Sequence, residues 1–568
     1  MMVDRQARLR GLSIIFLFAA AGITTKLFFV QIVNGDDYRA LADRQYEKPS
    51  NQTFDRGTIY FTDRDGKKVS GATLQTGYLL VINPSRLEDP EVVYTALTAI
   101  IPLDYNNFMN RANRANDPYE EIASRLDEEQ MIAITALNLP GVQLILQRWR
   151  FYPSGTLAAH VLGLMSSRGG NDDYAGQYGL EKYYDDVLKR QIPIGFSSFL
   201  GQIFLGLTHP QDTTSGAGDI VTTIEPTVER FLERELESIE TKWRTTTVGG
   251  IIMDPQTGAI ISMAARPTFD PGGKQSDIKH LSNPLIEGVN EMGSIMKPLT
   301  LSAGLDAKVI TATTTYNDLG FVSLNNRRIE NHDQRGRGVV SMQEVINQSL
   351  NTGAIFIMQK LGTKRFEKYF QDFGLLGEKT GIDLPGELSS LAGNLEDQRE
   401  VEYATAAFGQ GIAITPITIT TALSSLANRG RLVRPFITKE INYETKLTVT
   451  TKPEIKRQVV SEAVASTTTA MLVEVVDKVL LGGRESLPHY RVAAKTGTAQ
   501  MPKPGSGYYA DRYLHSFFGY FPASNPRFSI FLYATEPQGA EYASATLAKP
   551  FFNLTKFLLN YYQIPPDR

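Results

Sequence analysis

Ser294 and Lys297 stand three residues apart in the stretch Glu291-Met292-Gly293-Ser294-Ile295-Met296-Lys297-Pro298-Leu299-Thr300. On a helix that spacing puts both side chains on one face. A lysine so placed can accept the serine's proton once desolvation and neighbouring positive charge lower its pKa. Pro298 has no N–H and fits a helix only in its first turn. The spacing therefore predicts a helix that begins near Ser294, with the hydroxyl at its positive end. Gly293 leaves room for a sharp entry, and the apolar run Leu299, Leu301, Ala303, Gly304, Leu305 predicts burial. The chemistry would be nucleophilic attack by a serine with lysine as its base. The pair is weak alone, because Ser276 and Lys279 repeat the spacing. That second pair lies in a polar, glycine-rich segment that reads as a solvated loop.

Two further groups give Ser294 its chemical context. Ser349-Leu350-Asn351 interrupts apolar sequence on both sides, so a hydroxyl and an amide can line a cleft there. One would relay a proton and the other would bind a substrate amide. Ser323-Leu324-Asn325 has the same letters, but Asn326-Arg327-Arg328 follows and reads as an exposed turn. Lys495-Thr496-Gly497-Thr498 follows Arg491-Val492-Ala493-Ala494 and reads as part of a strand. A cation there can hold a carboxylate, Gly497 permits close backbone approach, and a strand N–H can complete an oxyanion hole. Lys379-Thr380-Gly381 is its decoy, in a Gly-, Glu- and Pro-rich loop.

The elements that must position these groups begin at Asp219. Ile220–Ile224 reads as a strand and Thr227–Thr241 as an amphipathic helix. Val248–Met253, the tight turn Asp254-Pro255-Gln256-Thr257-Gly258 and Ala259–Ala264 read as a hairpin. Near the other end Arg491–Ala499, His515–Phe521 and Phe528–Tyr533 read as three strands, and Leu547–Tyr561 as a closing helix. Helices fill the middle. The prediction is an α+β layered domain, an antiparallel sheet flanked by helices.

Residues 34–218 read as a separate mixed α+β region. Arg56–Phe61 and the turn Asp63-Arg64-Asp65-Gly66 predict a strand entering a hairpin, Thr73–Asn83 a strand, and Asp117–Leu139 helical patches. Tyr152–Gly163 reads as a turn leading into an apolar segment, and Ser197–Gly218 as a linker. His160 stands alone and reads as structural.

Composition narrows the function further. The chain has 568 residues, enough for about three or four domains. Its net charge of −3 excludes the basic profile of a nucleic-acid binder. It has no cysteine, so disulfides, thiolate metal sites and cysteine nucleophiles are excluded, and its six histidines show no metal-ligand spacing. Arg5, Arg8 and Arg10 precede a nearly uncharged stretch, 12–33, that only Lys26 interrupts. As a helix it would span roughly 33 Å, enough to cross a bilayer, with the remainder outside by the positive-inside rule. A cleaved signal peptide is the other reading, with Ala19-Ala20-Ala21 as its site. The apolar pattern resumes after it, which favours an uncleaved anchor.

Ser294/Lys297, Ser349/Asn351 and Lys495-Thr496-Gly497, in that order, resemble the three motifs of penicillin-binding proteins and serine β-lactamases. The resemblance covers nearly the whole chain. Arg56-Gly57-Thr58-Ile59, Tyr152-Pro153 to Gly163, and Gly179-Leu180-Glu181 with Tyr184-Asp185 are similar to the pedestal of class B penicillin-binding proteins. Thr380–Glu387 and Gly409-Gln410-Gly411 with Thr415-Pro416 are similar to that class's transpeptidase domain. The glycosyltransferase signature of the bifunctional class is absent; Glu88-Asp89 is the nearest match to its acidic pair. Asn351-Thr352-Gly353, Lys495–Gln500, Phe517–Pro526 and Ala548–Phe552 look more like division than elongation enzymes. Met292 stands where many relatives have Pro, and Leu350 where Ser or Asp is common.

The resemblance implies a cytoplasmic tail over 1–11, a single transmembrane helix over 12–33, a non-catalytic pedestal over 34–218 and a transpeptidase domain over 219–568. It implies a bacterial inner-membrane protein with its catalytic domain outside the cytoplasm, and no metal or cofactor. Ser294 would attack a D-Ala-D-Ala stem peptide and Lys297 would take its proton. Ser349 and Asn351 would relay the proton and bind substrate, and backbone N–H groups of Ser294 and Thr498 would hold the oxyanion. Lys495, Thr496 and Thr498 would hold the terminal carboxylate, beside Gly497. β-Lactams would acylate Ser294, and the partners would be a membrane glycan polymerase and other division proteins. The alternatives are an elongation-type transpeptidase, a penicillin-binding scaffold or receptor with little turnover, and a β-lactamase or carboxypeptidase that uses water as acceptor.

Overall fold

The C-terminal strands are apolar on both faces, and the structure shows why. It is a computed structural model and describes residues 17–18, 20–26, 28, 55–114, 117–167, 174–190, 216–273, 277–505 and 507–568. The chain divides into two compact units, 1–54 with 75–149 and 55–74 with 150–568.

The larger unit is built on a five-stranded antiparallel sheet. Its first elements are α1 (Pro226–Trp243), β1 (Thr247–Met253) and β2 (Ile260–Arg266). Then come α2 (Lys297–Asp306), α3 (Asn351–Leu361), α4 (Pro416–Ala427) and α5 (Glu462–Glu474). The sheet is completed by β3 (Ala493–Pro502), β4 (Tyr508–Phe521) and β5 (Phe528–Thr535), and α6 (Ala543–Tyr561) closes the fold. The spatial order is β3-β4-β5-β1-β2. The five strands, α1 and α6 answer the sequence expectations.

Successive residues of each strand feed two different cores, because side chains alternate across a sheet. Ile252, Phe517, Ile530 and Leu532 join Leu232, Leu236, Phe551 and Leu558 of α1 and α6. Ile251, Phe518, Phe531 and Tyr533 join Leu299, Ile355, Ile419 and Leu472 of α2, α3, α4 and α5. The sheet is the middle of three layers, so its strands read as continuous apolar runs. Helix α1 starts at Pro226, with the Glu225 carboxylate accepting from Val228 N at 2.6 Å. Val228, Leu232, Leu236 and Ile239 form its buried stripe.

In the same unit Ile59–Thr62 turns through Asp63–Gly66 and pairs with Lys68–Ala72, and it lies parallel to Gly218–Thr222. The pedestal motifs meet beside it. The buried Arg56 guanidinium bonds the Glu181 carboxylate at 2.7 Å and Asp185 at 2.8 Å, while Arg150 bonds the other Glu181 oxygen at 2.5 Å. Glu181 is fully buried, so removing either arginine leaves a poorly compensated charge.

In the smaller unit, Tyr78–Ile82 pairs antiparallel with Glu120–Leu126. The helices Pro90–Thr98, Tyr105–Ala112 and Glu128–Ala136 are capped by Asp89, Asp104 and Asp127. Leu80, Ile82, Val93, Leu97, Phe108, Leu126 and Ile134 form its core. The helical patches expected over 117–139 are thus found only in Glu128–Ala136, while Glu120–Leu126 is a strand, because pairing to a neighbour outweighs weak local preference. Asp89, the nearest match to a glycosyltransferase acid, is a helix cap.

Among the described residues, no helix is long and apolar enough to cross a membrane. Most of the expected anchor over 12–33 and of the linker over 197–218 lies outside the described residues.

Candidate active site

The nucleophile stretch enters α2 through a tight turn. Gly293–Met296 forms a 3₁₀ turn, and α2 proper begins at Lys297 with Pro298 in its first turn. This shifts the expected helix start by three residues. In a 3₁₀ turn, residues i and i+3 eclipse, which brings the Ser294 hydroxyl under the Lys297 amine. Gly293 takes φ +64°, and a Cβ there would lie 2.9 Å from the Thr498 carbonyl oxygen. Gly497 is confined in the same way, since its Cβ would meet the Met292 carbonyl oxygen at 2.7 Å. Ser516 Oγ donates to that Met292 carbonyl at 2.8 Å. The nucleophile turn is therefore pressed directly on β3.

Lys297 is 1% exposed and four oxygens surround its amine. Nζ lies 2.9 Å from Ser294 Oγ, 2.6 Å from the Ser349 carbonyl oxygen, 3.1 Å from Ser349 Oγ and 2.8 Å from Asn351 Oδ1. The carbonyl oxygen and the amide oxygen can only accept. The Asn351 amide is oriented by its Nδ2, which donates to the Glu330 carbonyl at 2.9 Å. A neutral amine spends its two N–H bonds on those acceptors and turns its lone pair to the Ser294 hydroxyl. Burial, followed by the charge of Lys495, pushes the Lys297 amine well below its usual range. The site thus contains a serine paired with a lysine whose surroundings favour its neutral form.

Ser349 adopts φ +56°, a left-handed conformation that costs a non-glycine residue energy. This places its Oγ between two lysine amines, 3.1 Å from Lys297 Nζ and 3.0 Å from Lys495 Nζ. A hydroxyl there can pass a proton between the base and a departing amine. Lys495 is 4% exposed, also donates to the Thr496 carbonyl at 2.9 Å, and is pushed down to about 7 by burial. Ser294, Ser349, Asn351, Lys495, Thr496 and Thr498 line one cleft of about 800 Å³. Sequence reasoning named all of these residues, and the fold brings them together.

The decoys Ser323 and Thr380 do not line this cleft. Ser323-Leu324 belongs to the hairpin Phe321–Leu324 with Arg327–Glu330. Thr380 and Gly381 donate backbone N–H groups to Glu387 at 2.6 and 3.1 Å, which makes their loop self-capped. Ser276 lies outside the described residues. His160 Nε2 is 3.0 Å from the His280 carbonyl and burial holds the ring down to about 4, a structural role. No group of residues suited to a metal occurs among the described residues.

Sequence reasoning missed the support behind Asn351. Asp318 is 2% exposed and accepts from Thr352 Oγ1 at 2.8 Å, Gly320 N at 2.9 Å, and Asn331 Nδ2 and Arg337 N at 3.1 Å. Asn331 Oδ1 in turn accepts from Thr352 N at 3.2 Å. This network fixes the start of α3, where Asn351 sits. The Asp318–Gly320 bond reads as an ordinary turn, and no local signal marks the rest, because Asn331, Arg337 and Thr352 come from distant positions. Asp318→Ala is expected to destabilise the fold by about 2–4 kcal/mol, since several buried donors lose their acceptor. A thermal melt and the rate of active-site labelling check it, and both should fall.

Comparison with known proteins finds relatives along nearly the whole chain. The family described as penicillin binding protein transpeptidase domain matches residues 248–555, and penicillin-binding protein dimerisation domain matches residues 52–192. Stage V sporulation protein D of Bacillus subtilis is 32% identical over 539 residues, 93% of this chain and 81% of that protein. Penicillin-binding protein PbpB of Mycobacterium tuberculosis is 27% identical, over 96% of this chain and 83% of that protein. Peptidoglycan D,D-transpeptidase FtsI of Escherichia coli K12 is 24% identical, over 97% and 91%. The solved structure of penicillin binding protein 2X from Streptococcus thermophilus shares the fold with a TM-score of 0.73 at 19% identity, covering 90% of this chain and 81% of that one. Penicillin binding protein 3 from M. tuberculosis, complexed with aztreonam, gives 0.67 at 23% identity, covering 91% and 98%. With the family match spanning more than half of its length and a relative above 30% identity over nearly all of it, the chain belongs to the penicillin-binding protein transpeptidase family.

Proposed function

We propose that the protein is a serine D,D-transpeptidase that crosslinks peptidoglycan stem peptides. The observation that carries this is the Lys297 amine held 2.9 Å from Ser294 Oγ, with two carbonyl-type acceptors occupying its N–H bonds. Ser294 Oγ attacks the carbonyl of the penultimate D-Ala and its proton passes to Lys297. The tetrahedral oxyanion takes hydrogen bonds from the backbone N–H groups of Ser294 and Thr498. The C–N bond then breaks, and the leaving amine receives the proton through Ser349 as D-Ala departs. An amine from a neighbouring strand attacks the Ser294 ester, loses its proton to Lys297 and restores the serine. Lys495, Thr496 and Thr498 hold the donor's terminal carboxylate.

The relatives named FtsI and PbpB support a septal role, in a polypeptide anchored by 12–33 with its catalytic domain outside the cytoplasm. The pedestal over 34–218 would meet a membrane glycan polymerase, and the transpeptidase domain would span 219–568. The aztreonam complex of a structural neighbour supports inhibition by β-lactams. The test supplies a peptide ending in D-Ala-D-Ala and an excess of an amine acceptor, and follows D-Ala release and the joined product. The proposal expects the joined product to dominate. Hydrolysed peptide alone would mean that water is the acceptor, as in a carboxypeptidase. Tight β-lactam labelling without D-Ala release would favour a scaffold.

A further inference from the structure

The ribbon formed by β3 and β4 has an outer end that the sheet does not support. β5 pairs with β4 only over Leu514–Phe521, while β3 follows β4 out to Tyr508. The Tyr513 carbonyl still accepts from Glu536 N at 2.8 Å, so residues 508–512 belong to a two-stranded ribbon, and such a ribbon alone is marginally stable in water. Yet Tyr508 of this outer end lines the cleft that contains Ser294, with Gln500 and Tyr513 at the ribbon's base. Something must fix this end. Arg512 pairs with Glu536 at 3.2 Å, but the arginine is half exposed, and such pairs contribute little.

Glu291 supplies a buried tie. Its Oε1 accepts from the Tyr508 hydroxyl at 3.1 Å and from Gly411 N at 3.1 Å. Glu291 is only three residues before the nucleophile, in a segment fastened on both sides. Asn290 and Ile414 exchange backbone bonds at 3.0 and 2.8 Å, and Gly293 N donates to the Gly409 carbonyl at 3.0 Å. One carboxylate thus joins the nucleophile turn, the Gly409–Gly411 backbone and the free end of β4. Its other oxygen, Oε2, is buried with no hydrogen-bond partner among the described residues. Burial pushes the carboxyl up to about 6, so above that pH it is an ionised and strong acceptor.

We propose that Glu291 is a positioning residue that fastens the outer end of β4, through Tyr508, to the nucleophile turn and so sets the cleft wall beside Ser294. The proposal rests on the acyl-enzyme reading of that site. It adds that acylation depends on a tie between the turn and a ribbon end that would otherwise fray.

The test is a double-mutant cycle, with benzylpenicillin acylation and hydrogen exchange of the 508–512 segment as readouts. Glu291→Ala and Tyr508→Phe are each expected to slow acylation by roughly tenfold to a hundredfold, because small misplacements in a reacting site are costly. The double variant is expected to be no slower than the slower single variant, and exchange at 508–512 should rise in all three. Glu291→Gln, which keeps an acceptor, should restore most of the rate. Additive effects, or unchanged exchange at 508–512, would overturn the proposal. If Glu291→Ala fails to fold, Tyr508→Phe alone decides by its exchange. An unlabelled wild type would instead count against the acyl-enzyme reading.

Discussion

Replacing Ser294 with Ala is expected to reduce release of D-Ala from a stem peptide by roughly 10⁴-fold or more, because no other group can carry the acyl chain. The variant should fold as the wild type does. Among the described residues Ser294 Oγ takes part in one hydrogen bond, to Lys297 Nζ, so its loss removes little structural support. The melting temperature should therefore change little, or rise as the pressed turn relaxes. Covalent labelling by a fluorescent penicillin should vanish while the cleft remains able to bind the drug reversibly. Persistent labelling of Ser294→Ala would show a different nucleophile.

The second large effect is expected at Lys297. Lys297→Met keeps the length and burial of the chain but removes the base, and should slow acylation by about 10²–10⁴-fold. The pH dependence separates its role from that of Lys495. Lys297 acts without its proton, so the second-order acylation rate rises with pH through the titration of Lys297, which burial and Lys495 hold well below the usual lysine range. Lys495 holds the drug's carboxylate while protonated, so the rate falls as pH passes about 7 and that charge is lost. The wild type should give a bell-shaped profile. Lys297→Met should lose the rising limb, and Lys495→Met the falling one. A rate that rises only above pH 10 would mean that Lys297 is an ordinary protonated lysine.

Four of the strands around the site were legible because their inner parts are apolar on both faces, and β3, which carries Lys495, Thr496 and Thr498, because it opens on the apolar Val492-Ala493-Ala494. Their ends were less legible. β4 begins at Tyr508, seven residues before the expected start at His515, since its outer part is polar and has β3 as its one strand neighbour among the described residues. The strand Glu120–Leu126 was hidden in a charged sequence whose pairing partner is distant. The residues that perform chemistry could be read from spacing and order. The residues that hold them could not. Asp318, Asn331, Ser516 and Glu291 act through contacts between remote positions, and short polar side chains at such places look like any loop residue. The decoys show the same limit, since Lys379-Thr380-Gly381 differs from Lys495-Thr496-Gly497 only in what surrounds it.

If Ser294, activated by Lys297, forms the acyl-enzyme, intact mass of the protein after brief exposure to benzylpenicillin, followed by peptide mapping of the adduct, shows it. One added drug mass is expected, on the peptide that carries Ser294, with slow loss of that mass. An adduct on Ser276, Ser323 or Ser349, or drug hydrolysis with no adduct at all, would contradict it.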